Sequence, residues 1–426
     1  MSRVGRTLFV IVAAAAIALV IGSTACTRRG GNGAPPVVTP TPINAYYVNP
    51  VKGKDTNNGS VSEPFKTLTH ALATVVKTAG MGITINLTKG TYSVRSGETF
   101  PIVIPAGVVV AGTNYGHSQS KGTFINGSGE DTYIETALNK APHTFSATVI
   151  VKGGVSATLN QLYVGTSAVP SGIYASVDDF GTVTGDADTF GAGAHEPSTG
   201  GVLLPSGTLH CLACTIGGRD YGIEAFTLAS ATSAPSISLS GPGQAVISGN
   251  DAIRTDGTAS VTASGQNFAA RDSAYTDTYA VASPSSKPAT VPATTTGPTS
   301  TPTSSSSSSG SSSGMTLDFG YGATGSSGGN TFGLAHSLHE IYITTGGATL
   351  VARSNTWLHF ETQGTSGAGL YRKEQVFGPG TTGKNVTILS SAGGSKVVVG
   401  PQPASTPTPS PTPYYSTSPS PTASST

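Results

Sequence analysis

Asp178, Asp179, Asp186, Asp188, His195 and Glu196 fall within nineteen residues, and their types and spacing make them the chain's first candidates for chemistry. Two carboxyl groups held about 6.5–9.5 Å apart across a sugar act as acid and base in an inverting glycoside hydrolase, and Asp178 with Asp179 is the candidate catalytic pair. Several converging carboxylates could instead hold calcium, for which Asp186, Asp188 and Glu196 would supply hard oxygen ligands. A third reading is a solvated, glycine-rich loop between Gly165 and Gly200, in which the aspartates serve turns. A lyase needs a base beside such carboxylates, yet no Lys or Arg occurs between Lys152 and Arg219. Arg219 with Asp220 is the nearest offering. The stretch therefore leans away from an enzyme, and calcium is the one cofactor it suggests.

The three cysteines divide into a pair and a single residue. Cys211 and Cys214 form one CxxC with no second to complete a zinc tetrad. Three residues along an extended strand span about 10 Å, so a disulfide between them needs a turn. The main expectation is two small buried side chains in an apolar column. Cys26 follows Arg3, Arg6, fourteen apolar residues over 8–21, and the small residues Gly22, Ser23, Thr24 and Ala25. This reads as a signal peptide over 1–25, since a membrane span needs about twenty apolar residues. Ser23-Thr24-Ala25-Cys26 resembles a bacterial lipoprotein cleavage box, in which the cysteine thiol is acylated and tethers the chain to a membrane. The alternative is ordinary secretion with a free Cys26.

The elements that would position these residues come from composition and periodicity. Charged residues are 10% of the chain against a typical quarter, glycine supplies 56 residues, and the net charge is +1. Nothing here attracts nucleic acid, and the chain reads as an extracellular all-β protein, expected as a monomer. Residues 26–44, 283–314 and 401–426 are rich in Pro, Ser, Thr or Gly and bury too little apolar surface to fold. Between tether and tail, over 45–400, short alternating segments such as 158–164, 202–204, 209–216 and 236–240 read as strands between glycine turns. Leu203 to Ile223 is 20 residues, while Ile223 to Ile247 and Ile237 to Val261 are each 24. Such an interval suits one coil of a parallel β-helix, with Ile247 stacked near Ile223 and Val261 near Ile237. Leu68, Leu72, Val75, Val76 and Ala79 recur at helical spacing after an N-cap at Thr67, and this helix would cover the open end of the solenoid. Asn160, Asn250, Asn267 and Asn355 are candidates for stacked amides at the corners, and Trp357 for sugar stacking or packing.

Longer motifs carry a resemblance. Tyr46-Tyr47-Val48-Asn49, Gly53, Asp55, Asn58-Gly59-Ser60, Pro64-Phe65-Lys66-Thr67-Leu68, Ala71-Leu72 and Lys89-Gly90-Thr91-Tyr92 resemble the opening of right-handed parallel β-helix proteins of the pectate-lyase-like superfamily. Gly97-Glu98-Thr99-Phe100-Pro101-Ile102 narrows this to a family of exported bacterial proteins described as a domain of unknown function. Leu317-Asp318-Phe319-Gly320, Gly329-Asn330-Thr331-Phe332 and Asn355-Thr356-Trp357 fit its closing coils. The resemblance implies one right-handed parallel β-helix domain, with 283–314 extruded from one coil. The superfamily includes polysaccharide lyases and hydrolases, and Asp178-Asp179 resembles the aspartate pair of polygalacturonase-like hydrolases. Their Asn-Thr-Asp, Gly-His-Gly and Arg-Ile-Lys motifs are absent. Three functions follow: a non-catalytic envelope protein contacting polysaccharide or another envelope partner, a polysaccharide-cleaving enzyme, and a structural spacer or adhesin stalk. Aromatic residues on one outer face would favour carbohydrate binding; a face covered with Thr and Ser would favour the spacer.

Overall fold

The computed structural model describes residues 45–78, 82–113, 122–129, 132–135, 143–168, 170, 174–191, 199–228, 231–241, 246–277, 315–333, 339–362, 365–383 and 385–404. All of them belong to one compact unit, Ile43–Thr426. The expected signal peptide over 1–25, Cys26, the expected tether over 26–44, Ala79, His195, Glu196, the 283–314 stretch and residues beyond 404 lie outside the described residues.

The chain winds as a parallel β-helix. A 12-stranded and an 18-stranded sheet form its faces, with nearly all neighbouring strands parallel. In the 12-stranded sheet, Ala157, Val183, Leu209, Ile237, Val261, Leu317, Leu350 and Val397 pair rung to rung. All eight are buried, forming one apolar column inside the solenoid. The 18-stranded sheet contributes another through Ile102, Val149, Val177, Val202, Ile223, Ile253, Tyr275, Ile341 and Val386. Each such side chain removed from water contributes about 1.5–3 kcal/mol before entropy is counted.

Coil length varies more than the sequence intervals imply. Thr182 pairs with Thr208, 26 residues on, and Thr208 with Ser236, 28 residues on. Val261 pairs with Leu317, so the strands on either side of residues 283–314 are neighbours in one sheet. Ile237 and Val261 stack as expected. Ile247 does not stack on Ile223: it pairs with Ile216 and Phe268, while Ile223 pairs with Val202 and Ile253. The reason is that each coil contributes more than one short strand to the 18-stranded sheet, and Ile247 begins a different segment from that holding Ile223.

Corners break two segments expected as single strands. The 158–164 segment splits into Ser156–Asn160 and Tyr163–Thr166, and the 209–216 segment into Thr208–Leu212 and Thr215–Gly217. Gln161 (φ 55°), Ala187 (φ 54°) and Ala213 (φ 55°) take the left-handed conformation at successive corners, turning the chain from one sheet to the other.

One α-helix, α1 (Leu68–Thr78), packs on the first coil. Leu68, Ala71, Leu72 and Val75 join the main core, whereas Val76 is 63% exposed, so the buried stripe includes Ala71 rather than Val76. Thr67 accepts the His70 N–H at 3.1 Å, as an N-cap does. Glu98 accepts the N–H groups of Leu68 at 2.7 Å and Thr69 at 2.9 Å, placing a carboxyl where the helix has orphan donors.

Candidate functional site

Asp178 and Asp179 end the strand Ala175–Asp179, and consecutive strand residues face opposite sides of a sheet. They cannot flank one sugar as an acid–base pair, which corrects that expectation. Asp179 accepts the N–H of Gly181 at 2.9 Å and of Val183 at 3.2 Å, holding the turn into the strand Thr182–Asp186. Asp186 is half-buried at the end of the strand Thr182–Asp186 in the 12-stranded sheet, in register with Asn160 and Leu212. Asp188 is buried at the next corner and accepts the N–H of Leu162 at 2.8 Å and of Asp186 at 3.0 Å. Both oxygens of Asp188 are committed to the backbone. Among the described residues no group of three or more His, Cys, Asp or Glu is placed to hold a metal ion. The turn-forming reading of these aspartates therefore fits Asp179 and Asp188, though both lie in buried corners rather than a solvated loop.

The corner position of Asp188 recurs later in the chain. Asn330 accepts the Gln266 N–H at 2.8 Å, and Asn355 accepts the Asn330 N–H at 2.8 Å. Amides therefore do stack at corners, through Asn330 and Asn355. Asn160 instead sits on the outer face, Asn250 lies within Val246–Thr255, and Asn267 starts the strand Asn267–Thr276. This equivalence predicts a graded outcome. Asp188→Ala leaves two N–H groups unpaired and should cost about 1–3 kcal/mol for each that stays buried. Asp188→Asn retains one acceptor and should cost clearly less. Denaturant unfolding of the two variants checks this; equal losses would remove the corner role.

Cys211 and Cys214 are disulfide-bonded across the corner at Ala213, with Cα atoms 5.7 Å apart. Both side chains are buried in the main core, as expected, and they are also bonded to each other, because the left-handed corner supplies the turn that a disulfide needs. A Cβ on Gly185 would come within 3.0 Å of both sulfurs, so the rung below makes room by having no side chain. Trp357 is buried and stacks on Phe332 with centroids 4.5 Å apart, Phe332 stacking in turn on Phe268 at 5.0 Å. Its role is packing in the closing coils.

The outer face of the 18-stranded sheet carries groups that the sequence reading missed. Register aligns Ile150, Asp178, Leu203, Glu224 and Arg254 on successive rungs, one column on the side of the sheet away from the main core and buried at its first four positions. Glu224 and Arg254 form an ion pair at 2.9 Å, Arg254 lies 3.9 Å from Asp251, and its guanidinium sits 5.1 Å from the Tyr221 ring centre. A second apolar cluster, separate from the main core, includes Ile150, Phe180, Leu203, Tyr221 and Phe226. Asp178 lies within this column, fully buried, and among the described residues neither carboxyl oxygen has a hydrogen-bond partner. Burial first, then the neighbouring Asp179 and Glu224 carboxylates, hold its carboxyl well above the usual carboxylate range. No constant interval connects residues 178, 224 and 254, so nothing in the sequence marked them as neighbours.

The outer face of the 12-stranded sheet is different. Ser156, Thr182, Thr208, Ser236 and Ser260 form one column over five rungs. Thr158, Thr184, His210, Ser238 and Thr262 form a second beside it. Rungs lie about 4.8 Å apart, and the two columns about 6.6 Å apart along the strands. None of these positions is buried, and none carries Trp, Tyr, Phe, Asp, Glu, Lys or Arg.

Residues 51–167 match the model of a family described as "Protein of unknown function (DUF1565)", covering the opening coils. No curated protein matches. Among solved structures, the chain is similar to the GH136 lacto-N-biosidase from Eubacterium ramulus. The native crystal structure is 10% identical, with 84% of this chain and 68% of that one covered and a TM-score of 0.34. The selenomethionine derivative is 11% identical, with coverage of 84% and 67% and a TM-score of 0.36. A likeness of that size says nothing of this chain's chemistry.

Proposed function

We propose that this chain is a non-catalytic surface protein of the cell envelope, tethered through an acylated Cys26, whose hydroxyl-bearing face contacts polysaccharide. What supports the contact is the pair of columns over five rungs of the 12-stranded sheet, nine Ser or Thr residues with His210; the spacer reading expects the same covering, and the experiment below decides between them. Hydroxyls both donate and accept, so a flat, uncharged array can exchange hydrogen bonds with a hydrated polymer at many points. Each contact is weak, and retention comes from their number. The non-catalytic part is supported by Asp179 and Asp188, whose oxygens are spent on backbone N–H groups, and by Asp178 facing away from Asp179. The absence of Trp, Tyr and Phe from the two columns favours a second reading, the structural spacer, because sugar-binding faces use rings for stacking.

Co-sedimentation with insoluble envelope polysaccharide separates the two. The protein should pellet with the polymer and release no new reducing ends. A variant carrying Thr184→Glu and Ser238→Glu should stay in the supernatant, its core untouched. A wild-type protein left in the supernatant would remove the contact reading and leave the spacer.

The anchor gives a further expected result. Each acyl methylene buried in a bilayer contributes about 0.8 kcal/mol, so the acylated protein should partition with membranes. Cys26→Ser should release it or accumulate precursor. Normal processing with undiminished membrane retention of Cys26→Ser would rule the anchor out.

A further inference from the structure

A cleft of about 710 Å³ opens on the first coils, within the range of small-molecule sites, about 300–1,000 Å³. Several pieces of chain line it. Pro50 and Val51 follow the strand Ala45–Val48, Thr91 lies in Gly90–Tyr92, Asn126 in Thr123–Gly127, and Ser167 follows Tyr163–Thr166. The last three strands pair in parallel on consecutive rungs, which is how residues so far apart in sequence meet. Arg95 stands in the short turn Val94–Ser96 at the same cleft. That turn is held by the Ser96 hydroxyl, which donates to the Ser93 carbonyl and accepts the Ser93 N–H, both at 2.8 Å.

The lining is rich in donors that the fold leaves unused. Among the described residues, the Arg95 guanidinium has neither an ion pair nor a hydrogen bond, and the Thr91 hydroxyl has no partner. Asn126 donates to Ser167 Oγ at 2.9 Å and accepts the Ser167 N–H at 2.7 Å. The second amide hydrogen of Asn126 and the Ser167 hydroxyl hydrogen remain to be given among those residues. Among the described residues no Asp or Glu lines the cleft. Asp55 and Glu98, which follow Val51 and Arg95 in sequence, spend their carboxyls on N–H groups of Lys66, Thr67, Leu68 and Thr69. Two exposed cations adjoin the cleft in sequence: Lys52 next to Val51, and Lys89 next to Gly90, where a Cβ would meet the Pro50 ring at 2.9 Å.

We infer that this cleft binds a phosphorylated sugar, its phosphate on the Arg95 guanidinium and its hydroxyls on Thr91, Asn126 and Ser167. A guanidinium presents paired donors that match phosphate geometry. Two ammonium groups beside it suit a dianion better than the single charge of a carboxylate. Pro50 and Val51, the latter 83% exposed, give the C–H face of a sugar ring an apolar wall that free phosphate would not use. The cleft shares no residue with the hydroxyl columns, so it does not rest on the contact proposed above.

Titration calorimetry of the full chain provides the test, with glucose 1-phosphate and mannose 6-phosphate as probes and glucose, glucuronate and inorganic phosphate as comparisons. At least one sugar phosphate should bind saturably, more tightly than all three comparisons, and more weakly as salt is raised. Arg95→Gln should weaken it about tenfold or more, the loss of hydrogen bonds to a charged group. Val51→Asp, which sets an acid on the exposed lip, should weaken it as well. Arg372→Gln, at an exposed arginine of the closing coils, should leave it unchanged. Both Arg95 and Val51 are exposed, so each variant should unfold at the wild-type midpoint. No binding of either sugar phosphate overturns the proposal, as does binding undiminished in Arg95→Gln and Val51→Asp. Inorganic phosphate binding as tightly would strike out the sugar, and glucuronate binding as tightly would strike out the phosphate.

Discussion

Ile237→Asp should unfold the solenoid at markedly lower denaturant, with a loss of about 3–5 kcal/mol, the range for an uncompensated buried charge. Ile237 is buried between Leu209 on one rung and Val261 on the next, inside the unbroken apolar column of the 12-stranded sheet. A carboxyl there meets aliphatic side chains above and below, and burying it unpaired is costly whether it stays charged or takes a proton. Ile237→Val, which removes one methylene, should cost only about 0.5–1.5 kcal/mol. The comparison matters because each coil contacts only its neighbours, so damage to one rung divides the solenoid into two shorter stacks. Equilibrium unfolding of both variants checks the pair. An Asp variant no worse than the Val variant would mean that the column is open to water, contrary to the packing described.

Asp178→Leu should have the opposite sign and stabilise the protein by about 1–3 kcal/mol at neutral pH, the cost of an unsatisfied buried group. Leucine would join Ile150 and Leu203 in a continuous aliphatic column. The pH dependence gives a sharper test. The folded-state pKa of Asp178 is raised by burial, by Asp179 and by Glu224, whereas in the unfolded chain an aspartate titrates near about 3.9. The native state therefore binds the proton more tightly, and the wild type loses stability as pH rises from about 4 toward the folded value. Asp188 is raised by burial as well and contributes the same slope to wild type and variant alike, while the loss of the Asp178 charge beside Asp179 acts in the same direction as the loss of Asp178 itself. The advantage of Asp178→Leu should thus be small at acid pH and grow as pH rises. A variant whose advantage shrinks with rising pH, or which is destabilised throughout, would mean that the carboxyl is held by partners.

Much of the solenoid was legible before any coordinates, because it is written in short-range chemistry. Alternation of period two marked strands such as Ser236–Ser240, and a helical stripe after Thr67 marked α1, down to its N-cap. The 24-residue interval from Ile237 to Val261 was one true coil, and it placed those two side chains on neighbouring rungs. The same arithmetic misplaced Ile247, since a coil that contributes two strands to one sheet offers two partners at similar distances along the chain. The disulfide was hidden for a related reason: the distance across three residues depends on a left-handed Ala213, a conformation alanine rarely adopts and composition does not announce.

The candidate site was the least legible part. Residue types singled out Asp178, Asp179, Asp186 and Asp188 as a cluster, yet adjacency along a strand is opposition across a sheet, and one corner sent Asp188 into the backbone. Glu224 and Arg254 joined Asp178 only through register, at separations of 46 and 76 residues that follow no repeat. Strand alternation and the capped start of the helix are properties of a few neighbouring residues, and local energetics suffice to choose them. Which side chains share an outer face depends on the length of every intervening coil, since a slip of one residue turns a side chain from core to surface. That choice belonged to the stacked coils, whose apolar columns hold each rung in register against its neighbours.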